Sequence, residues 1–191
     1  MVIETPLQKV KADLGSYAAI EHRSVSPMFV LRMFLVTPGF QFVFARRFQE
    51  MLVHIPVVGR PLRRLVWWAT CLIFSSEIAI GAEVGGGLYV PHPYGIVVGQ
   101  AKIGRNLHLL HNVTIGRKAH DIPGDPVFGD RVSISAGAVL LGNITIGDGA
   151  VIGANSVVLK DVPPGAMAVG IPARIIPRPD VSDKAAALGS L

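Results

Sequence analysis

A parallel β-helix of six-residue steps, preceded by a small α-helical region, is the fold this sequence predicts. Three observations predict it. Apolar residues recur every sixth position between residues 78 and 176, glycine often follows them, and the first 76 residues show helical spacing instead.

The apolar series runs Ile78, Val84, Val90, Ile96, then slips by one residue and resumes at Val97, Ile103, Leu109 and Ile115. After a polar excursion it continues through Phe128, Ile134, Leu140, Ile146, Ile152 and Val158. Aliphatic or small residues stand four places after many of these anchors, as at Ala82, Val113, Ala138, Ile144, Ala150 and Ser156. No α-helix has a period of six, and so much glycine would destabilise one. A short strand ended by a tight corner has both properties. The anchors then point inward, three hexads close one coil, and coils stack at about 5 Å, the ordinary strand spacing. Residues 117–127, Arg-Lys-Ala-His-Asp-Ile-Pro-Gly-Asp-Pro-Val, break the period and read as a loop ejected from the solenoid. Such loops commonly carry function.

Ahead of the repeat, residues 7–17 have helical spacing and Pro27 precedes an apolar run over 28–37. Pro38-Gly39 punctuates, 40–53 reads as a second strong helix, and Pro56 and Pro61 bracket a start that leads into 62–74. The expected organisation is a helical domain over 1–76, a β-helix over 77–178, and a small polar tail over 179–191 without fixed order.

Half of the 191 residues are hydrophobic, enough for a sizeable core. The single cysteine, Cys71, excludes an internal disulfide and, in its apolar run, reads as a buried small hydrophobe. A net charge of +5 suits a polyanionic ligand, an anionic membrane surface or nucleic acid. No DNA- or RNA-binding signature is visible, so nucleic acid is set aside. Arg60, Arg63 and Arg64 beside Trp67 and Trp68 fit a helix lying on a membrane surface or a helix packed within the domain or between subunits. No run is long enough to span a bilayer, and the N-terminus lacks a basic-then-apolar signal pattern, so a cytoplasmic location is expected, with the inner membrane face as the second possibility.

His92 lies two residues after the anchor Val90, and His111 two after Leu109. The one-residue slip absorbs the difference, which places both at equivalent corners of adjacent coils, about 5 Å apart along the stack. A chance surface pair and a functional pocket are both open readings. The scarcity of polar side chains around them favours the pocket.

These segments carry a resemblance. Residues 76–99, with Val90-Pro91-His92-Pro93-Tyr94-Gly95, together with Leu110-His111-Asn112-Val113-Thr114-Ile115-Gly116, Ile134-Ser135-Ala136-Gly137-Ala138 and Val169-Gly170-Ile171-Pro172-Ala173-Arg174, are similar to the serine acetyltransferase group of hexapeptide-repeat acyltransferases. The likeness runs from about residue 28 to 178. It implies a left-handed coil, against the usual crossover hand. It implies acetyl-CoA as co-substrate without a metal, and a homotrimer or two such trimers paired through the helices, with sites shared between chains. His92 matches the general base that deprotonates the acceptor hydroxyl. Glu77, fifteen residues earlier, stands where the family usually has the aspartate that orients the base. The resemblance implies coenzyme A in the groove between neighbouring subunits, where Ala136, Gly137, Gly153 and Ala154 offer its pantetheine arm a wall of small residues; by charge and position Lys160 and Arg174 are the candidates for its phosphates and adenine. His111, Tyr94 and Asp125 are the candidate acceptor contacts.

Two departures bear on the acceptor. Pro91 replaces the aspartate before the histidine, and Gly124-Asp125 stand where the family has an arginine-histidine pair that grips a carboxylate. A free Asp125 would repel a carboxylate and accept bonds from sugar hydroxyls, with Tyr94 as a face for the ring. The expected acceptor is therefore a saccharide hydroxyl in polysaccharide biosynthesis. The alternatives are L-serine, a zinc site of the carbonic anhydrase type built on His92, His108 and His111, and a non-catalytic scaffold.

Overall fold

The structure is a computed structural model that describes residues 4–119, 121 and 123–177. Among the described residues four helices come first: α1 (Pro6–Ile20), α2 (Pro27–Val36), α3 (Pro38–Leu52) and α4 (Gly59–Phe74). Proline occupies the first turn of α1, α2 and α3, where its missing N–H costs nothing. This is why Pro38-Gly39 opens α3 and does not merely precede it. The Thr5 side chain accepts from Gln8 N–H, and Gln8 in turn reaches back to the Thr5 N–H. Gly39 is required at its position, because a Cβ there would collide with the Val90 carbonyl.

Short strands follow, fourteen among the described residues, and form the three faces of a left-handed parallel β-helix. The first face stacks β1 (Glu77–Ile78), β3 (Val97–Val98), β6 (Thr114–Gly116), β9 (Val139–Leu141) and β12 (Val157–Val158). The second stacks β2 (Glu83–Val84), β4 (Lys102–Ile103), β7 (Val127–Phe128) and β10 (Thr145–Ile146). The third stacks β5 (His108–Leu109), β8 (Ser133–Ile134), β11 (Val151–Ile152) and β13 (Met167–Val169), closed by β14 (Arg174–Ile176), which pairs antiparallel. The residues four after each anchor fill the interior as the period requires: Val113, Ala138, Ala150 and Ser156 are fully buried.

One detail of the register differs from the sequence reading. Val98, not Val97, is the inward residue of β3; Val97 is 40% exposed. Ile78 pairs with Val98 and Val84 with Ile103. The corner between Val90 and Val98 is therefore long and the next one short. The two irregularities nearly cancel, so they look like a single slip in the sequence.

The helices close the open end of the first coil with side chains. Arg47 donates to the carbonyls of Val84 and Gly85 at 2.9 and 2.7 Å and to Asp13 at 2.8 and 3.2 Å. Asp13 also accepts from the Leu88 N–H at 2.8 Å. Tyr17 Oη donates to the Val90 carbonyl and accepts from the Val90 N–H. Burial lowers the Arg46 guanidinium to about 10, partly offset by Glu50. Burial likewise pushes the Asp13 carboxyl up against the opposing pull of Arg47. These bonds satisfy backbone groups that have no coil beneath them, at the base of the corner that carries His92.

Candidate active site

The corner from the third face to the first defines a line up the stack. His111, Ala136, Ala154 and Gly170 each lie two residues after an inward anchor. The next position in each coil, Asn112, Gly137 or Asn155, has positive φ. The Gly137 N–H bonds the His111 carbonyl at 3.1 Å, and the Asn155 N–H bonds the Ala136 carbonyl at 2.9 Å. Ala136, Gly137, Gly153 and Ala154 therefore form a wall of small residues directly above His111.

In the first coil the same corner bulges. The Asn112 N–H bonds the Tyr94 carbonyl at 2.9 Å, so Tyr94 is the register partner of His111. His92 and Pro93 are extra residues lifted out of the coil, and the exposed His92 ring stands edge-on to His111 at 5.9 Å between centroids. The two histidines are neighbours, but not equivalents as their spacing suggested: a bulge re-aims its side chain where a regular corner would not. Tyr94 is 52% exposed beside them.

Two residues that the sequence reading missed hold the bulge. Buried Ser76 Oγ donates to the Pro93 carbonyl at 3.0 Å and accepts from the Ile96 N–H at 2.9 Å. Gly95 has φ +66°, and a Cβ there would strike the Asn112 side chain. A serine just before the first strand, and a glycine shortly after a Pro-His-Pro run, were the available signals.

Glu77 follows Ser76 and its N–H bonds the Ile96 carbonyl at 2.8 Å, one strand below the bulge. No hydrogen bond joins its carboxylate to His92 among the described residues; a Glu77 oxygen lies 4.0 Å from Cys71 Sγ instead. Cys71 is half-buried, not buried as its apolar neighbours implied, because it ends on the side of α4 that meets β1. Burial and the Glu77 carboxylate push its thiol up, which makes it a poor nucleophile. Among the described residues the buried Nδ1 atom of His111 has no hydrogen-bond partner.

The ejected loop leaves from the other edge of the first face. Arg117 Nε and Nη2 donate to the two oxygens of Asp125 at 2.6 and 3.2 Å, closing the loop's neck. This corrects the expectation of a free Asp125 charge. The guanidinium neutralises the carboxylate and holds its pKa below the ordinary value, so Asp125 does not by itself repel an anion. β6 separates His111 from Arg117, roughly 20 Å of extended chain, so one chain does not bring Asp125 to His92. Lys160 is exposed at the same far edge, after β12. Arg174 pairs with Val169 at the top of the third face, near the small-residue wall. The loop's histidine, His120, and the tail over 179–191 lie outside the described residues. His108 sits on the third face against Tyr89 at 4.7 Å between centroids. Among the described residues no cluster of three His, Cys, Asp or Glu side chains is arranged to hold a metal ion.

Known proteins resemble this chain closely. The family model described as bacterial transferase hexapeptide (six repeats) matches residues 125–160. Serine acetyltransferase 3, mitochondrial, of Arabidopsis thaliana is 39% identical over 173 residues, covering 89% of this chain and 43% of that protein. Serine acetyltransferase of Mycobacterium tuberculosis is 34% identical over 169 residues, covering 85% of this chain and 71% of that protein. The chain thus spans less than half of the plant relative's length. The solved structure of Neisseria gonorrhoeae serine acetyltransferase in complex with serine matches with a TM-score of 0.75 at 32% identity, over 90% of this chain and 69% of that one. Soybean serine acetyltransferase complexed with serine matches with a TM-score of 0.75 at 37% identity, over 90% and 70%.

Proposed function

The chain belongs to the serine acetyltransferase family, and from that premise we propose that it transfers the acetyl group of acetyl-CoA to an acceptor hydroxyl. The observation that carries the reading is the exposed His92 bulge at the foot of the small-residue wall. In this proposal His92, in its neutral form, takes the hydroxyl proton as the oxygen attacks the thioester carbonyl, and the thiolate of coenzyme A leaves. Glu77 orients the imidazole once it turns from Cys71 toward the bulge. Backbone N–H groups of the corner stabilise the oxyanion. The pantetheine arm runs past Ala136, Gly137, Gly153 and Ala154, with Arg174 near its phosphates.

L-serine is the acceptor best supported, because the relatives carry that name and two of the matching structures hold serine. A saccharide hydroxyl is the second reading. It is favoured by Pro91 in place of an acid and by Asp125, whose pairing with Arg117 ties up the guanidinium nearest the loop neck.

We also propose that the site is shared between chains of a trimer. The outward side of the first face is largely apolar, with Val97, Val139, Val157 and Leu159. Packing that face on a second copy would carry one chain's loop and Lys160 to the other's His92. Sedimentation as a monomer at micromolar concentration would contradict this. The acceptor is settled by measuring release of free coenzyme A from acetyl-CoA with L-serine, simple sugars, nucleotide sugars and oligosaccharides. Turnover with L-serine alone establishes the first reading, turnover with a glycan alone the second. Turnover with no hydroxylic acceptor in the panel refutes acetyl transfer to either class.

A further inference from the structure

Helix α4 turns a large part of its apolar surface outward. On a helix that only packs, apolar residues face the core and polar ones face water. Here Phe74 packs inward against Phe42, but it shares that side with Arg63, which bonds the Ile80 carbonyl, and with the buried Thr70, whose hydroxyl bonds the Val66 carbonyl of its own helix. Leu65, Trp68, Leu72 and Ile73 point outward, at 56, 54, 62 and 71% exposure. At 3.6 residues per turn these four fall within one arc of about 140°. Exposed Arg60 and Arg64 line one margin of that arc.

The loop leading into α4 extends the same character. Residues 53–58 expose Val53, Ile55, Val57 and Val58. Val57 is 93% exposed and has φ +63°, a conformation that a β-branched residue adopts only at a cost of about 1–3 kcal/mol. The Val57 side chain is open to solvent, so packing among the described residues does not offset that cost.

We propose that the outer arc of α4 and residues 53–58 form a docking surface for an anionic lipid bilayer. Charge favours a bilayer over a pairing of this surface with the same surface of a second copy. Neither α4 nor residues 53–58 contain an aspartate or glutamate. Laying this surface on its own copy would set arginines beside arginines with no acid in either surface to match them. Lipid phosphates supply that match, the arginines reach up to them, and Trp68 takes the depth that indole prefers between headgroup and acyl chain. The helix lies along the surface and does not cross it: no single helix among the described residues is long and apolar enough to span a bilayer. The surface is independent of the acetyl-transfer reading, since none of its residues belongs to the proposed site.

The test is co-sedimentation with vesicles of phosphatidylcholine containing about a third phosphatidylglycerol, against pure phosphatidylcholine, near 0.1 M salt. The chain is expected to pellet with the anionic vesicles only, with a blue shift of tryptophan emission. Arg60→Gln/Arg64→Gln should weaken binding about fivefold for each arginine removed. Trp68→Gln/Leu72→Gln should weaken it by about tenfold or more at any salt concentration. Both pairs are exposed, so circular dichroism should be unchanged. No binding to anionic vesicles, or equal binding by wild type and the arginine variant, overturns the proposal. So does a Leu65→Arg variant that changes the sedimenting mass while binding vesicles as wild type does, since the arc would then join copies of the chain. Because no acceptor is present, failure of acetyl transfer would leave this result standing, and the reverse also holds.

Discussion

The interior of the β-helix is a stack of aliphatic side chains, whereas the junction between the helices and the first coil buries Asp13, Arg46, Arg47 and Gln49. The difference follows from backbone accounting. Within the stack, each coil's N–H and C=O groups are met by the coil above or below, and its side chains have only to fill space. The first coil has nothing beneath it. Its carbonyls at Ile80, Ala82, Val84 and Gly85 and its N–H groups at Leu88 and Val90 are met by side chains of α1, α3 and α4. At the far end a backbone solution is used, the antiparallel strand β14. The cap is thus an electrostatic device and the solenoid a packing device, and variants in the two should fail in different ways.

The largest effect on stability belongs to the cap. Arg47→Met leaves the Asp13 carboxylate buried without its partner and should lower unfolding free energy by about 3–5 kcal/mol in urea titration. Turnover per folded molecule should be kept. A loss under about 1 kcal/mol would mean that the junction packs as the solenoid does, and the contrast would fail.

Two glycines in the solenoid sharpen the other side. Gly95 and Gly149 share φ +66°, but only at Gly95 does a new Cβ strike another group, the Asn112 side chain; Gly149 has nothing within 4 Å. Gly149→Ala should cost about 1 kcal/mol, the left-handed penalty alone. Gly95→Ala should cost about 1–3 kcal/mol and also reduce kcat, because it sets the His92 bulge. Equal costs and equal turnover would show that the bulge is not held by that contact.

The smallest effect is the loop neck. Arg117 holds the Asp125 carboxyl below its ordinary pKa, so as pH falls the unfolded chain takes up this proton first. The pair's contribution is complete above about pH 4 and is lost as pH drops through the lowered folded value. Both groups are exposed, so the change is slight. Comparing the urea midpoint at pH 5 and pH 3 in wild type and Asp125→Asn should show a marginally steeper fall in wild type.

The legibility of the sequence follows the same division. Ile134, Leu140, Ile146 and Ile152 announce their coils because a solenoid repeats one environment, and repetition is what a linear pattern can reveal. The buried Asp13–Arg47 pair is invisible that way, since thirty-four residues separate two polar groups whose partners are backbone atoms of a third segment. At the site, the small-residue wall and the proximity of the two histidines could be read from spacing. The bulge could not, because its extra residues are nearly compensated by the short corner after Val98, and the count alone suggests equivalence. Asp125 looked like a free charge because Arg117 meets it only when the loop folds back on itself.

The measurement that bears most directly on the site is a paired one on His92→Ala: kcat for coenzyme A release, and the Kd for acetyl-CoA. An exposed side chain on a bulge held by Ser76 and Gly95 should be removable without loss of stability. The proposal requires kcat to fall by about 10²–10⁴-fold with acetyl-CoA affinity unchanged, because proton transfer is lost and the small-residue wall is untouched. A variant that turns over near the wild-type rate would contradict it and move the chemistry away from this corner.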